Sequence, residues 1–392
     1  MKRKIVAALA SVAFINAFTT QAQVSRTLSP SVPFLTISPD SRGAALGDAG
    51  VASTPDANSI YWNTAKLAFI DKNIGSTVSY TPWLRDLVDD MGLLNVGLFK
   101  KLDKNSAFGA SMTYFNQGEI QFTTATGQPN GTFQSRDLNF TAGYTRKIGR
   151  DFSMGINGKF IHSNLIGSQV VNGVASKPAS TVAGDVSFFY TTDRPSAKDK
   201  DRGMTYSAGA VISNIGGKIN YGRSAFYIPT NLKVGGAVGF KLDAHNRFNF
   251  LLDANKLLIP TPPLRDNNGN IVKGRDPETT SAIAGIFGSF SDAPDGLKEE
   301  LREVTLSTGV EYWYNNFFAL RGGYFMESSM KGGSKYVTTG LGLKISNYQL
   351  DLAYLVPTSQ GSPLANTWRI TLIFDMNGKP SSIPTEVPTE NN

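Results

Sequence analysis

Hydrophobic and polar residues alternate along most of the chain after residue 73. In 106–115 every second position from Phe108 to Tyr114 is apolar, and the same period of two recurs at 138–145 and 367–375. Such a period places apolar side chains on one face of a strand and small or polar ones on the other. Soluble strands typically run about 5–6 residues, whereas a tilted strand needs about 9–11 residues to cross a bilayer. Because these segments are about ten residues long, they predict membrane-spanning strands.

The connections between these segments carry a second pattern. Fourteen strands can be placed between 74 and 376, and tight turns alternate with longer links such as 116–134, the longest being 256–303. Outer-membrane barrels have an even number of antiparallel strands, short periplasmic turns and long outer loops. We therefore predict an all-β fold: an antiparallel transmembrane β-barrel of about fourteen strands over 74–376. One link, 192–203, falls on the short-turn side although it is long and charged.

The first residues have the pattern of an export signal. Three basic residues, from Lys2 to Lys4, precede an apolar run that ends near Phe18, and small residues follow up to Ala22. This order is typical of a secretory signal peptide over 1–22, with a signal anchor as the alternative. Beyond it no apolar run approaches the length of a spanning helix. We therefore expect an exported protein whose only route into the outer membrane is through its strands.

Two further segments do not alternate like spanning strands. Residues 23–73 include a Gly- and Ala-rich stretch, 41–68, with scattered apolar side chains. Fourteen strands enclose a lumen that wall side chains alone do not fill, so we predict that 23–73 is a plug inside the barrel. A flexible periplasmic extension is the alternative. The polar, proline-containing end of the chain, 377–392, is expected to be a disordered periplasmic tail.

The long link 256–303 is the main candidate for a functional surface. Its first half contains Pro260, Pro262 and Pro263. The sequence of 291–301 predicts a short helix capped by Ser or Asp. Loops of this length are commonly functional. We expect this link and 214–228 to expose apolar side chains to a protein partner. The candidate partner-binding residues are Leu257, Leu258, Ile259, Phe287, Phe290, Phe226 and Tyr227.

The composition offers little for catalysis or metal binding. The chain has no Cys and only two His, which excludes thiolate chemistry and leaves little for an imidazole site. Neither His pairs with a Ser in a recognisable spacing, so we predict no enzyme, no cofactor and no metal site. Glu311 and Arg321 flank one hairpin and can form a structural pair in the lumen. Without the three basic residues of the signal peptide the net charge of +7 falls to +4, which does not indicate nucleic-acid binding.

Several motifs carry a resemblance to a known family. The stretch 41–68 resembles the N-terminal segment of FadL-type barrels, although Asn63-Thr64-Ala65 stands where those barrels carry Asn-Pro-Ala. More specific runs are similar to the PorV (LptO) family, the outer-membrane proteins of the Bacteroidetes type IX secretion system. These runs are 289–294, 298–301, 309–315, 320–325 and 362–364. The resemblance covers essentially the whole mature chain.

The resemblance implies a FadL-like barrel without enzymatic activity. Proteins of the PorV family take cargo that carries a C-terminal signal domain from a large translocon barrel. They deliver it to a sortase-containing complex at the cell surface, where lipopolysaccharide is joined to the cargo. The implied partners are therefore the translocon, the cargo, the attachment complex and membrane lipid or lipopolysaccharide. The alternatives are a transporter of long-chain fatty acids or other hydrophobic compounds, with an apolar pocket in the lumen, and a structural porin with an open lumen.

Overall fold

The computed structural model describes residues 26–376, except 86–87, 125, 166, 168–169, 172–173, 200, 223, 359–361, 363 and 365. The predicted signal peptide 1–22 and the predicted tail 377–392 lie outside the described residues. No helix within the described part of the chain is long and apolar enough to span a membrane.

Fourteen antiparallel strands form a closed barrel, in which each strand pairs with its sequence neighbours and the first pairs with the last. The prediction of a fourteen-stranded antiparallel β-barrel is therefore confirmed. In chain order the strands are β1 Ile74–Pro82, β2 Gly92–Lys101, β3 Ser106–Thr123, β4 Pro129–Lys147, β5 Phe152–Asn164, β6 Ala179–Pro195, β7 Gly203–Gly216, β8 Asn231–Lys241, β9 Asn246–Leu257, β10 Val304–Tyr314, β11 Phe318–Met326, β12 Lys335–Ile345, β13 Tyr348–Pro357 and β14 Trp368–Met376.

The barrel wall has its apolar side chains on the outside. In β4 the alternate residues Asn139, Thr141 and Thr145 are buried in the interior, whereas Phe140 and Tyr144 are exposed on the outer surface. This arrangement is the reverse of a soluble protein and is typical of a wall that faces lipid. The period of two in the sequence thus separates the lipid-facing side chains from the lumen-facing ones.

Two connections differ from the sequence prediction. The ladder between β6 and β7 continues to Pro195 and Gly203, so the charged link 192–203 is strand up to Pro195 and again at Gly203, and the connection is shortened to 196–202. Similarly, β3 and β4 remain paired as far as Thr123 and Pro129, beyond register shifts near Asn116. The predicted long link 116–134 was wrong, because its weak alternation continues the hairpin past the membrane-crossing part.

The residues before β1, the N-terminal segment 26–73, lie against the inner wall. They form two one-turn helices, α1 Ser41–Ala45 and α2 Ser59–Trp62, and two 3-10 turns, Pro33–Thr36 and Thr64–Phe69. Asp40 caps α1 by accepting a hydrogen bond from the Gly43 amide at 2.8 Å. Most residues between 41 and 70 are buried. That the segment acts as a plug stays a prediction.

Glycine allows part of this segment to approach the wall at backbone distance. Gly47 has φ +69°, and a Cβ there would lie 2.5 Å from the Tyr324 amide nitrogen. On the wall, a Cβ at Gly323 would lie 2.0 Å from the Gly47 nitrogen, and one at Gly309 would lie 2.6 Å from the Leu46 carbonyl oxygen. Side chains at these positions would separate the two backbones.

Candidate partner-binding surface

The link between β9 and β10 covers part of one end of the barrel. It contains a small hairpin of Leu264–Arg265 with Ile271–Lys273, followed by the helices α3 Ala282–Gly288 and α4 Leu297–Arg302. Long connections mark the outer end of outer-membrane barrels, so we call this link the outer loop. The predicted helix is present as α4. It begins after Gly296, without the predicted side-chain cap, whereas Ser281 caps α3.

The sequence-predicted residues fall into two groups. Phe226, Phe287 and Phe290 are exposed, at 47%, 75% and 50% of their surface, and Leu257 and Tyr227 are half-buried. Leu258 and Ile259 are buried, at 2% and 4%, so the expectation that they are exposed was wrong. The Leu258 amide donates to the Thr230 carbonyl at 2.8 Å, which continues the ladder beyond β9 and draws this part of the loop inward.

The structure adds exposed apolar residues that sequence reasoning missed. Ile283 on α3 and Leu297 and Leu301 on α4 are 68%, 72% and 65% exposed. Ile283 and Phe287 are spaced i and i+4 on α3, and the two leucines i and i+4 on α4, so each pair shares one helix face. Phe290 follows in the turn after α3. This helical period was the signal in the sequence that could have found them. We call these five residues the outer apolar face: Ile283, Phe287, Phe290, Leu297 and Leu301.

The opposite side of α4 is fixed to the barrel by buried charges. Glu299 receives hydrogen bonds from Arg26 at 3.0 and 2.9 Å and from Lys331 at 2.7 Å. Glu303 pairs with Lys331 at 2.9 Å and with Lys256 at 2.6 Å. Lys256 also pairs with Glu300 at 2.9 Å. We call these six residues the outer anchor: Arg26, Lys256, Glu299, Glu300, Glu303 and Lys331.

The outer anchor joins three parts of the chain that are far apart in sequence. Arg26 belongs to the N-terminal segment, Glu299 to α4, and Lys331 to the connection between β11 and β12. Burial alone would raise the pKa of the Glu299 carboxyl, but the hydrogen bonds and charges of Arg26 and Lys331 outweigh it and lower that pKa to about 2. The carboxylate therefore stays charged at neutral pH. Charged groups buried in this way define one arrangement of their elements because any other leaves a charge unpaired.

A second buried charge network lies inside the barrel, where the predicted pair of Glu311 and Arg321 is present at 2.8 Å. Arg42 of the N-terminal segment donates two further hydrogen bonds to Glu311, at 2.9 and 2.8 Å, and pairs with Asp56 at 2.8 Å. Arg321 also pairs with Asp351 at 2.7 Å. These five residues, Arg42, Asp56, Glu311, Arg321 and Asp351, are the lumenal network. It ties the N-terminal segment to three strands of the wall.

An apolar cluster inside the barrel is filled by the N-terminal segment. Phe34 and Leu35 pack among buried residues of the wall, and the Phe34 ring stacks on Phe115 with centroids 6.3 Å apart. The other buried members are Val32, Leu93, Ile161, Ala179, Ile219 and Ile228. Within the described residues, the Phe34 side chain of the N-terminal segment thus occupies this apolar cluster of the interior.

Each of the two histidines contacts one polar side chain. The Nδ1 atom of His162 lies 2.9 Å from the Ser180 hydroxyl oxygen on an exposed part of the wall, and His245 lies beside Asn315 in a turn. Within the described residues, no group of three or more His, Asp or Glu side chains is arranged to hold a metal ion.

The fold and its outer loop define a class of protein: a fourteen-stranded outer-membrane β-barrel with a segment of its own chain in the lumen. The family model described as "Type IX secretion system protein PorV" matches residues 19–264. That is more than half of the chain, and the chain therefore belongs to the PorV family of secretion-system outer-membrane barrels.

Several solved structures have a similar outline. The Pseudomonas putida toluene transporter TodX is 10% identical, with a TM-score of 0.47, covering 87% of this chain and 99% of that chain. The Ralstonia pickettii toluene transporter TbuX is 10% identical, with a TM-score of 0.47, covering 87% and 98%. A Pseudomonas aeruginosa FadL homologue is 12% identical, with a TM-score of 0.42, covering 86% and 98%. No curated protein matches the chain.

Proposed function

We propose that this protein is a non-enzymatic shuttle of the type IX secretion system. In this proposal it is exported with the signal peptide 1–22 and inserted into the outer membrane of a Bacteroidetes-type bacterium. There it binds the C-terminal signal domain of cargo at the translocon barrel and delivers the cargo to the sortase-containing attachment complex. Lipid or lipopolysaccharide surrounds its outer wall.

The observation that carries this proposal is the outer apolar face. Phe287 is 75% exposed and Leu297 is 72% exposed. The loop that carries them is nevertheless held to the barrel by buried ion pairs. A free apolar surface on a fixed support is suited to a protein partner, because little order has to be created on binding. Family membership gives the class of partner, and the surface gives the place where it would bind.

The interior supports a shuttle better than a transporter of hydrophobic compounds. Such a transporter requires an apolar pocket that a ligand can enter. Here Phe34 and Leu35 fill the apolar cluster. A porin requires an open lumen, whereas the N-terminal segment crosses this one between Arg26 at the outer anchor and Asn73 beside the end of β14.

The test is recovery of partners by the tagged full-length protein from gently solubilised membranes, followed by mass spectrometry. We expect the wild type to recover exported proteins that share a C-terminal domain, together with a very large barrel. The variant Ile283→Asn/Phe287→Asn should recover at least tenfold less of the cargo. Val272→Asn, an equally exposed apolar residue on the small hairpin of the same loop, is the matched control and should bind normally.

Two results would contradict the proposal. The first is equal cargo recovery by the Ile283→Asn/Phe287→Asn variant and the wild type. The second is recovery of the tagged protein without any partner but with bound fatty acid, which would favour a transporter of hydrophobic compounds.

A further inference from the structure

The end of the barrel opposite the outer loop contains a cavity of about 930 Å³. Its wall is formed where the strands reach the short turns, at residues such as Lys147, Arg247 and Lys344. Short turns mark the periplasmic end of such barrels. Arg42 and Glu311 of the lumenal network line the inner end of the cavity. The cavity is therefore a cup that opens to the periplasm, and we call it the periplasmic cup.

The cup has an excess of basic side chains. Two of its acids, Asp56 and Glu311, are already paired with Arg42, and two of its basic residues, Arg202 and Lys241, pair with Asp199 and Asp201. The other charged residues of the lining are five basic ones, Lys72, Lys147, Arg194, Arg247 and Lys344, and three acidic ones, Asp71, Asp193 and Asp375. Among the described residues neither Arg247 nor Lys344 has an ion-pair partner within 4.0 Å.

The positions of these cations favour an extended ligand over a compact one. Lys147 ends β4, Arg247 begins β9 and Lys344 is near the end of β12, so they lie five and three strands apart in the ring. At about 4.8 Å per strand, these separations are roughly 24 and 14 Å along the wall. These are separations of backbone positions, and even with long side chains a single phosphate cannot bridge the larger one. A chain that carries several carboxylates can, and the cup has the volume of a site for a short peptide.

We propose that the periplasmic cup binds an acidic peptide segment. Carboxylates of the peptide pair with Arg247 and Lys344, and the apolar parts of the peptide contact Trp313, which also lines the cup. The partial enclosure strengthens these pairs relative to ion pairs in open water. This inference concerns the periplasmic end and is independent of the function proposed for the outer face.

The chain itself contains a segment with this chemistry. β14 ends at Met376, directly after Asp375 of the lining, and the residues that follow include Glu386 and Glu390. Two residues four positions apart are separated by about 13 Å in an extended chain, close to the roughly 14 Å spacing of Arg247 and Lys344. A tether at the rim also gives such a segment a millimolar-range effective concentration. The peptide can therefore come from this chain or from a periplasmic partner.

The experiment uses a fluorescein-labelled peptide of residues 381–392 and the protein in detergent micelles, with binding read as fluorescence polarisation. The protein is used both at full length and truncated after Pro380. We expect the truncated protein to bind the peptide at least tenfold more tightly than it binds the Glu386→Gln/Glu390→Gln peptide. Raising the salt concentration should weaken binding, because salt screens partly exposed ion pairs.

Protein variants locate the site. Arg247→Gln/Lys344→Gln should weaken peptide binding at least tenfold, whereas Lys104→Gln, which removes a charge from a neighbouring periplasmic turn outside the cup, should not. Weaker peptide binding by the full-length protein than by the truncated one identifies the chain's own tail as the resident segment. Equal binding by the two proteins assigns the site to a segment of another protein. The proposal is overturned if the acidic and the glutamine peptides bind equally, or if Arg247→Gln/Lys344→Gln leaves binding unchanged.

Discussion

The N-terminal segment and the outer loop are both held to the barrel by buried ion pairs, but they differ in what else they contact. Most of the segment between 41 and 70 is buried, and glycines such as Gly47 and Gly323 bring its backbone against the wall. The outer loop is attached along one side, through contacts that include Glu299 and Glu303 at α4 and its C-terminal end. Its other side carries exposed apolar residues. Enclosure makes the first region part of the core, whereas one-sided attachment leaves the second free to bind.

The largest effect is expected from the lumenal network. Glu311→Gln removes the carboxylate that Arg42 and Arg321 share. Breaking a buried pair leaves uncompensated charge, and because each arginine keeps another acid we expect a loss of about 3 kcal/mol. Urea unfolding in detergent, followed by tryptophan fluorescence, measures this loss. Glu119→Gln on the exposed end of β3 is the control, and a change of equal size there would contradict the explanation.

The close backbone contact predicts a somewhat smaller effect. Gly323→Val places side-chain atoms where the Gly47 backbone lies, and overpacking of this kind costs about 1–3 kcal/mol. Gly322→Val is the matched control, because a Cβ there points outward and meets no atom closer than 3.8 Å. The same unfolding measurement should separate the two variants. Equal stability of both would mean that the segment does not need this contact.

The outer anchor predicts a local effect without a global one. Lys331→Met removes one ion-pair partner from Glu299 and one from Glu303. We expect cleavage of the outer loop by chymotrypsin, at residues such as Phe287, to become roughly tenfold faster, which corresponds to about 1.4 kcal/mol of easier local opening. The unfolding midpoint of the barrel should not change. Lys273→Met, an exposed lysine of the same loop, should leave the cleavage rate unaltered.

The smallest effect is expected from pH. The pKa of Glu299 is lowered to about 2 in the folded protein, so its stabilising effect is complete above its unfolded pKa of about 4.5 and is lost as the pH falls through 2. Because the chain has no Cys, a dye on Leu301→Cys labels α4 alone. Its fluorescence anisotropy should be constant from pH 7 to 5 and should decrease below about pH 4.5 as the loop is released. A decrease between pH 7 and 5 would contradict the role of Glu299.

Much of the fold could be predicted from the sequence because lipid imposes a simple rule on strands. A wall between lipid and a polar lumen requires alternation, so the count of fourteen strands and positions such as 304–314 for β10 follow from the pattern. The pair of Glu311 and Arg321 was predictable for the same reason, since both lie on the polar face of one hairpin. The long β3–β4 hairpin was missed because beyond the membrane this rule no longer applies.

The candidate surface was only partly predictable. Apolar character alone did not distinguish Leu258, which is buried, from Phe287, which is exposed. Contacts with residues distant in sequence decide which loop residues are exposed. The hydrogen bond to Thr230 holds Leu258 in the interior, and the ion pair of Lys331 with Glu299 holds α4 so that Leu297 and Leu301 face outward.

The sequence by itself therefore determined the barrel, its number of strands and the side-chain directions of strands such as β10, because alternation is a local property. Only the tertiary structure decided which loop residues are free, how Arg26 and Arg42 connect the N-terminal segment to the outer anchor and to the lumenal network, and that Arg247 and Lys344 line the same periplasmic cup. These features depend on residues hundreds of positions apart, such as Arg26 and Glu299, with a separation of 273. No local pattern encodes such pairings.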